Sequence, residues 1–221
     1  MYNDSLFIYG VMRTKEGNKE RDILEAAIKV FAEFGYNNAK ISKIAEVANV
    51  ASGSVYLYYR SKDAILLEIF KQIWDNLSNE LEILINNTQI SPIDKIDGMI
   101  DMVFDMFANN TEMGIIFVTE HNNPTLSSEI QAYIKRFLDL GQSVLQHGVE
   151  QGLFTTHLDY KIIRSFIFGG LRHLIHLWAL DPVGMPLNAI RSNVKAIVKY
   201  GIMPNELKHT QKINQIEKKL N

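Results

Sequence analysis

The run Ile41-Ser-Lys-Ile-Ala-Glu-Val-Ala-Asn-Val-Ala-Ser-Gly-Ser-Val-Tyr-Leu-Tyr-Tyr-Arg-Ser-Lys62 constrains this chain more than any other stretch of its sequence. Ile41, Ile44, Ala45 and Ala48 recur at i, i+3, i+4 and i+7, which places them on one face of a helix. Asn49 follows, one of the few non-glycine residues that tolerates the left-handed backbone of a sharp turn. Val50 is placed to plug the angle between that helix and a second one over about residues 52–59. The second helix turns Val55 and Tyr59 inward and leaves Ser52, Ser54, Tyr56 and Tyr58 outward. Two short helices crossing steeply over a tight turn form a helix-turn-helix, a unit sized to seat its second helix in the major groove of DNA.

The upstream residues supply a third helix. Ile23, Ala26, Ala27, Val30, Phe31 and Phe34 form an amphipathic stripe that Gly35 stops, with Asn18 as its N-cap. Over residues 13–62 there are nine Lys/Arg and six Asp/Glu, a net charge of +3, whereas the whole chain carries −2. A basic head on an acidic body is the asymmetry expected when only the head meets phosphate.

The quoted residues, with Ile23-Leu-Glu-Ala-Ala, Phe31-Ala-Glu-Phe-Gly-Tyr36 and Asp63, resemble the N-terminal domain of the TetR family of bacterial transcriptional regulators. This chain departs from the family's usual residues at Lys40 and Ala51, where a hydroxyl residue normally caps a helix, and at Asn49, where glycine is usual. The two lost caps cost roughly 1 kcal/mol each at most and leave Ser52 to take over the second. The resemblance implies that Tyr56 and Lys62 hold phosphates, with Tyr58 beside them. It places Ser42, Lys43, Ser52, Ser54 and Leu57 where base edges are read, Leu57 by an apolar contact only.

Helical periodicity continues through the rest of the 221 residues. A long helix over 62–87 carries the stripe Ile65, Leu66, Ile69, Ile73, Leu77, Leu81 and Leu84. Ser91-Pro92 opens the next, as cap and first-turn proline, and it runs to Asn110. Further helices are expected over 114–120, 126–151, 158–180 and 186–201, with a break at residues 121–125. No strand-period segment competes, so the chain reads as all-α. Its expected parts are an arm over 1–17, a helix-turn-helix domain over 18–62, a ligand-binding and dimerisation domain over 63–204 and a tail over 205–221. No stretch approaches the length of a transmembrane helix, so no membrane partner is expected. Residues 1–12 have no basic n-region or cleavage site, which favours an arm over a signal peptide. The absence of cysteine excludes disulfide, thiolate-zinc and thiol-nucleophile chemistry and fits a cytoplasmic protein.

Three clusters in the body invite chemistry. Asp94, Asp97, Asp101 and Asp105 share a helix face, but like charges without a histidine or a shaping turn read as a solvated face rather than a cation site. His173 and His176 lack a third ligand on their helix, and Glu120-His121 is either a ligand contact or a cap. No phosphate loop, GxSxG or HExxH occurs, so neither an enzyme nor a cofactor is expected. Gly169-Gly170 sits inside a helix that is apolar on nearly all sides, which calls for a close neighbour to offset a cost of about 1 kcal/mol per glycine. The TetR resemblance implies that this neighbour is a second subunit. A homodimer through residues 158–201 is then expected, with Phe166, Gly170, Leu174, Val194 and Ile197 at the interface.

The resulting expectation is a homodimeric, ligand-responsive repressor of a palindromic double-stranded DNA operator. The alternative is a DNA-binding protein of the same fold with an architectural or protein-partner role and no effector. Met99, Met102, Val103, Met106, Phe107, Phe117, Phe137, Phe166 and Trp178, with His121 at the break, are the residues expected around an apolar ligand. Val55 to Phe70, Phe117-Val-Thr-Glu…Leu126 and Phe166-Ile-Phe-Gly-Gly170 are also similar to the fatty-acid-degradation repressors of the family. That similarity implies an acyl chain or acyl-CoA as the ligand, ahead of a flat hydrophobic drug or dye.

Overall fold

The computed structural model describes residues 19–108, 110–119 and 127–204. The expected arm, the Asn18 cap, the Glu120-His121 pair, the break at 121–125 and the tail lie outside these residues. Nine helices and no strand occur among the described residues, the all-α class that the periodicity predicts.

The first helix, α1 (Lys19–Asn38), buries Ile23, Ala26, Ala27, Val30 and Phe31 as expected. Phe34 does not join them and is 40% exposed. Gly35 at φ 71° and ψ 154° interrupts the helix there, a backbone conformation that only glycine adopts cheaply. The interruption swings Tyr36 inward instead, with its ring 5.5 Å from that of Phe31.

Helices α2 (Ile41–Val47) and α3 (Ser52–Tyr58) turn through Asn49, which takes the left-handed conformation at φ 55°. Ile44, Ala45, Val55 and Tyr59 are buried between them and α1. Lys40 and Ala51 stand at the N-cap positions without side-chain hydrogen bonds, so Ser52 begins α3 rather than capping it. The Tyr59 hydroxyl donates to Glu20 Oε1 at 3.3 Å, and burial followed by the nearby Glu20 charge pushes that phenol up.

Helix α4 (Lys62–Asn86) leaves the head and runs into the body. The Ser61 hydroxyl caps it, accepting from the Ala64 amide at 3.2 Å. α4 packs against α1 at one end, and against α5 (Pro92–Phe107) and α7 (Ser127–Glu150) in the body. The buried Lys95 of α5 donates to the Ile85 carbonyl at 2.6 Å and ties the two helices at the far end of α4. Helix α6 (Thr111–Thr119) packs on α1 and on α8 (Tyr160–Leu180), while α9 (Leu187–Ile202) packs on α5 and α8.

The aspartate ladder is not the solvated face that the sequence suggests. Lys199 meets Asp97 at 2.5 Å, Lys195 meets Asp101 at 2.5 Å, and Arg191 pairs with both Asp101 and Asp105. Three cations spaced i, i+4, i+8 along α9 thus face three carboxylates at the same spacing along α5. Only Asp94 stands apart, hydrogen-bonded to Ser91 at 2.7 Å beside the cap of α5. Partly exposed pairs of this kind contribute about 0–1 kcal/mol each, so the ladder chiefly sets the register of α9 on α5.

The backbone at Gly35 makes a specific demand on stability. Gly35→Ala should lower the unfolding free energy by about 1–3 kcal/mol, since alanine cannot hold that φ/ψ pair without strain. Gly53→Ala, inside α3 with open space where its Cβ would stand, should be neutral or stabilising by up to about 1 kcal/mol. Urea unfolding of both variants measures the contrast, and equal losses would show that the Gly35 backbone is not the constraint.

Candidate functional site

Two places among the described residues gather the expected site residues. The first is the outer face of the helix-turn-helix. Tyr56 is 56% exposed and Leu57 84%, and Ser42, Ser52 and Tyr58 are also exposed. Ser54 is half-buried. Lys43 is held by Glu46, its Nζ donating to Oε1 at 2.6 Å, and this hydrogen bond raises its pKa. Glu46 takes one of the three ammonium protons of Lys43, so a phosphate or base edge can engage Lys43 without displacing it.

Lys62, expected at a phosphate, faces inward. Its Nζ donates to the carbonyls of Tyr36 at 2.5 Å, Asn37 at 3.1 Å and Ala39 at 3.2 Å, and stands 4.4 Å from the centroid of the Tyr36 ring. Those carbonyls belong to the last residues of α1 and the start of the turn, where the helix leaves acceptors without intrahelical partners. An ammonium has three protons, so a phosphate contact by Lys62 competes with this cap.

The second place is a cavity of about 80 Å³ in the body between α4, α5, α6, α7, α8 and α9. Of the residues expected around a ligand, Met99, Val103, Phe117 and Phe137 line it. Phe107 is fully buried behind the wall, its ring 5.0 Å from that of Phe117. Trp178 is buried beside Gly114 of α6, and Met102 and Met106 are half-buried against the core away from the cavity. Phe166 is 73% exposed and not part of the wall. His121 lies outside the described residues.

Sequence reasoning missed much of the wall, notably Trp74, Gly141, Phe168, Leu171 and the arginines Arg164 and Arg172. Gly141 was open to detection by the same argument as the glycine pair. It is a mid-helix glycine, and a Cβ on it would stand 2.6 Å from Met99 Cε, across the cavity wall. The arginines carried no signal, because nothing local distinguishes an arginine whose carbon stem lines a cavity from one that lies wholly in water. Among the described residues no group of three or more His, Asp or Glu side chains could hold a metal.

The comparisons with known proteins cover both places. Residues 23–69 match the family model of bacterial regulatory proteins of the tetR family, and residues 70–201 match that of the YsiA-like protein C-terminal region. The chain belongs to the TetR family. The fatty acid metabolism regulator protein of Bacillus subtilis is 28% identical over 186 residues, which cover 83% of this chain and 95% of that protein. The solved fatty acid degradation regulator FadR from Bacillus halodurans is 29% identical, with a TM-score of 0.76 over 84% of this chain and 97% of that one. FadR from Bacillus subtilis, solved in complex with stearoyl-CoA, is 28% identical, with a TM-score of 0.75 over 83% and 100%. This TetR-family chain is accordingly a helix-turn-helix transcriptional regulator, and these relatives are regulators rather than enzymes.

The cap made by Lys62 separates its two possible duties. Lys62→Met should lower the unfolding free energy by about 1–3 kcal/mol, because three carbonyls lose their shared donor. A purely phosphate-binding lysine would leave stability unchanged and reduce only the salt dependence of DNA binding, by about one ion. Urea unfolding without DNA, beside a salt titration with it, distinguishes the two.

Proposed function

We propose that the chain is a homodimeric repressor of a palindromic operator, released from DNA when a long acyl chain, carried as acyl-CoA, enters the body cavity. The observation that carries this reading is the position of α6. Phe117 lines the cavity from α6, and α6 packs directly on α1 of the head. A ligand that displaces Phe117 therefore pushes on the helix that orients the reading surface. The acyl identity rests on similarity to a relative crystallised with stearoyl-CoA, and on a wall that is almost wholly apolar.

At about 80 Å³ the cavity is smaller than the roughly 300–1,000 Å³ of ligand pockets, so a long chain must push side chains aside. The flexible Met99, packed against Gly141, is suited to that. Such an effector releases DNA only if it binds the DNA-free arrangement better than the DNA-bound one, and about 3 kcal/mol of difference weakens DNA binding 100-fold.

The homodimer is supported by an apolar face that none of the described residues covers. Ile162 and Phe166 of α8 and Ile197 and Tyr200 of α9 are exposed, and nothing lies within 4 Å of a Cβ built on Gly169, Gly170 or Gly201. The close neighbour that the glycine pair calls for is thus absent among the described residues, and a second copy fits the gap. Val194 is buried against the chain's own core and Leu174 half-buried, so the interface centres on Phe166, Gly170 and Ile197 instead.

Two measurements test these parts separately. Light scattering at micromolar concentration should give a dimer for the unmodified chain and a monomer for Phe166→Asp, which should also lose binding to palindromic DNA from its own upstream region. Titration with acyl-CoAs of increasing chain length should raise the thermal midpoint and release that DNA progressively. A response independent of chain length would reject the acyl effector while leaving the regulator intact. No response at all would favour the effector-free, architectural role.

A further inference from the structure

The cations along the helix-turn-helix are held in two different ways. Lys43 is matched by Glu46 at 2.6 Å, and the Lys62 ammonium is taken up by three backbone carbonyls. Lys40 and Arg60 are exposed, and neither side chain has an ion pair or hydrogen bond among the described residues. Lys40 immediately precedes α2 with its outward Ser42, and Arg60 follows α3 with its outward Tyr56, Leu57 and Tyr58. Lys62 brings the two together. Its Nζ lies 3.2 Å from the carbonyl of Ala39, the residue before Lys40, and Arg60 stands two residues before Lys62. Both unmatched cations therefore belong to one corner of the head, at the edge of the reading face.

Lys40 is also a residue that weakens the fold where it stands. It holds the N-cap position of α2, where its side chain makes no hydrogen bond and a hydroxyl would. A cation is moreover disfavoured beside the positive end of a helix. Because the side chain is exposed, packing does not compensate. A local rule broken without compensation inside the chain points to a position set by function. An external phosphate supplies the compensation, since it gives the ammonium the anion that the chain withholds. Arg60 suits the same partner, because its planar fork can hold two phosphate oxygens at once.

We propose that Lys40 and Arg60 form a phosphate clamp at this corner, and that they, rather than Lys62, supply the charge that holds DNA at the edge of α3. The inference rests on the DNA-binding reading and deepens it by assigning its cations. Contacts of this kind position the duplex without reading its sequence. The clamp therefore acts equally on specific and non-specific DNA, whereas the base-reading face tells the two apart.

Fluorescence anisotropy on the full chain tests the clamp, using a labelled duplex from its own upstream region and a scrambled duplex of the same length, over about 50 to 200 mM salt. Arg60→Gln and Lys40→Thr should each weaken binding to both duplexes by a similar factor, about 10-fold. Each should also lower the slope of log affinity against log salt by about one per bound copy. Lys40→Thr should at the same time raise the urea midpoint of unfolding, because threonine restores the cap. Affinity and stability then move in opposite directions, whereas a merely structural role would move them together. Arg60→Lys should keep the slope, since the charge remains. Lys29→Gln removes an equally exposed and unpaired cation from α1 and should leave the slope unchanged. An unchanged slope in either Lys40→Thr or Arg60→Gln, or an equal fall in Lys29→Gln, would overturn the clamp while leaving the DNA-binding reading in place. If the unmodified chain binds neither duplex, that reading itself fails and takes the clamp with it.

Discussion

The body is organised around the indole of Trp74. It is almost completely buried in the middle of α4, and its ring centroid lies 5.8 Å from Phe117 of α6, 5.5 Å from Phe137 of α7 and 5.9 Å from Phe168 of α8. Tilted aromatic pairs at such distances contribute about 0.5–1.5 kcal/mol each beyond the area they bury. The larger consequence is geometric, because one rigid ring fixes where three helices stand relative to a fourth. The cavity is what remains beside that ring once Gly141 and Met99 have packed. Head and body are continuous along the same helix, since α4 carries Ile65 and Leu66 beside the head and Leu77 and Leu81 in the body.

A consequence is that the cavity and the head are mechanically close. Phe117 belongs both to the aromatic cluster and to the cavity wall, and its helix lies against α1. The Lys62 ammonium then joins the end of α1 to the start of α4, so a shift of either helix is felt at the turn that precedes α2. The α5–α9 ion-pair ladder borders the cavity wall, since the lining residues Ile96, Ile100 and Val198 are the chain neighbours of Asp97, Asp101 and Lys199. It holds α9 against α5.

The legible parts of the fold were those written in nearby residues. The turn at Asn49, the Ser91-Pro92 start of α5 and the inward Val55 and Tyr59 all depend on neighbours within a few positions. So does the stop at Gly35, although its effect on Phe34 and Tyr36 could not be read from a periodic stripe that assumes an unbroken helix. The body site was legible only in part. Four of its expected lining residues reach the cavity, because an apolar stripe marks a buried face without saying what that face meets. Phe166 shows the limit most clearly. Its helix is apolar nearly all round, and periodicity could not say which apolar side faced the interior.

By itself the sequence determined the all-α class, the helix-turn-helix and its outward residues, because helix periodicity, turn residues and tight helix pairs are local properties of the backbone. Tertiary structure alone decided which partners distant residues find. Arg191 and Lys195 lie 90 and 94 residues from Asp101, and Lys62 lies 26 residues from the Tyr36 carbonyl that it caps. The same holds for the cavity, whose two arginines are separated from other cations by nothing in their flanking sequence. Charge pairing and cavity lining are set by where helices cross, and a crossing is fixed by packing volumes summed over the whole core rather than by any one segment.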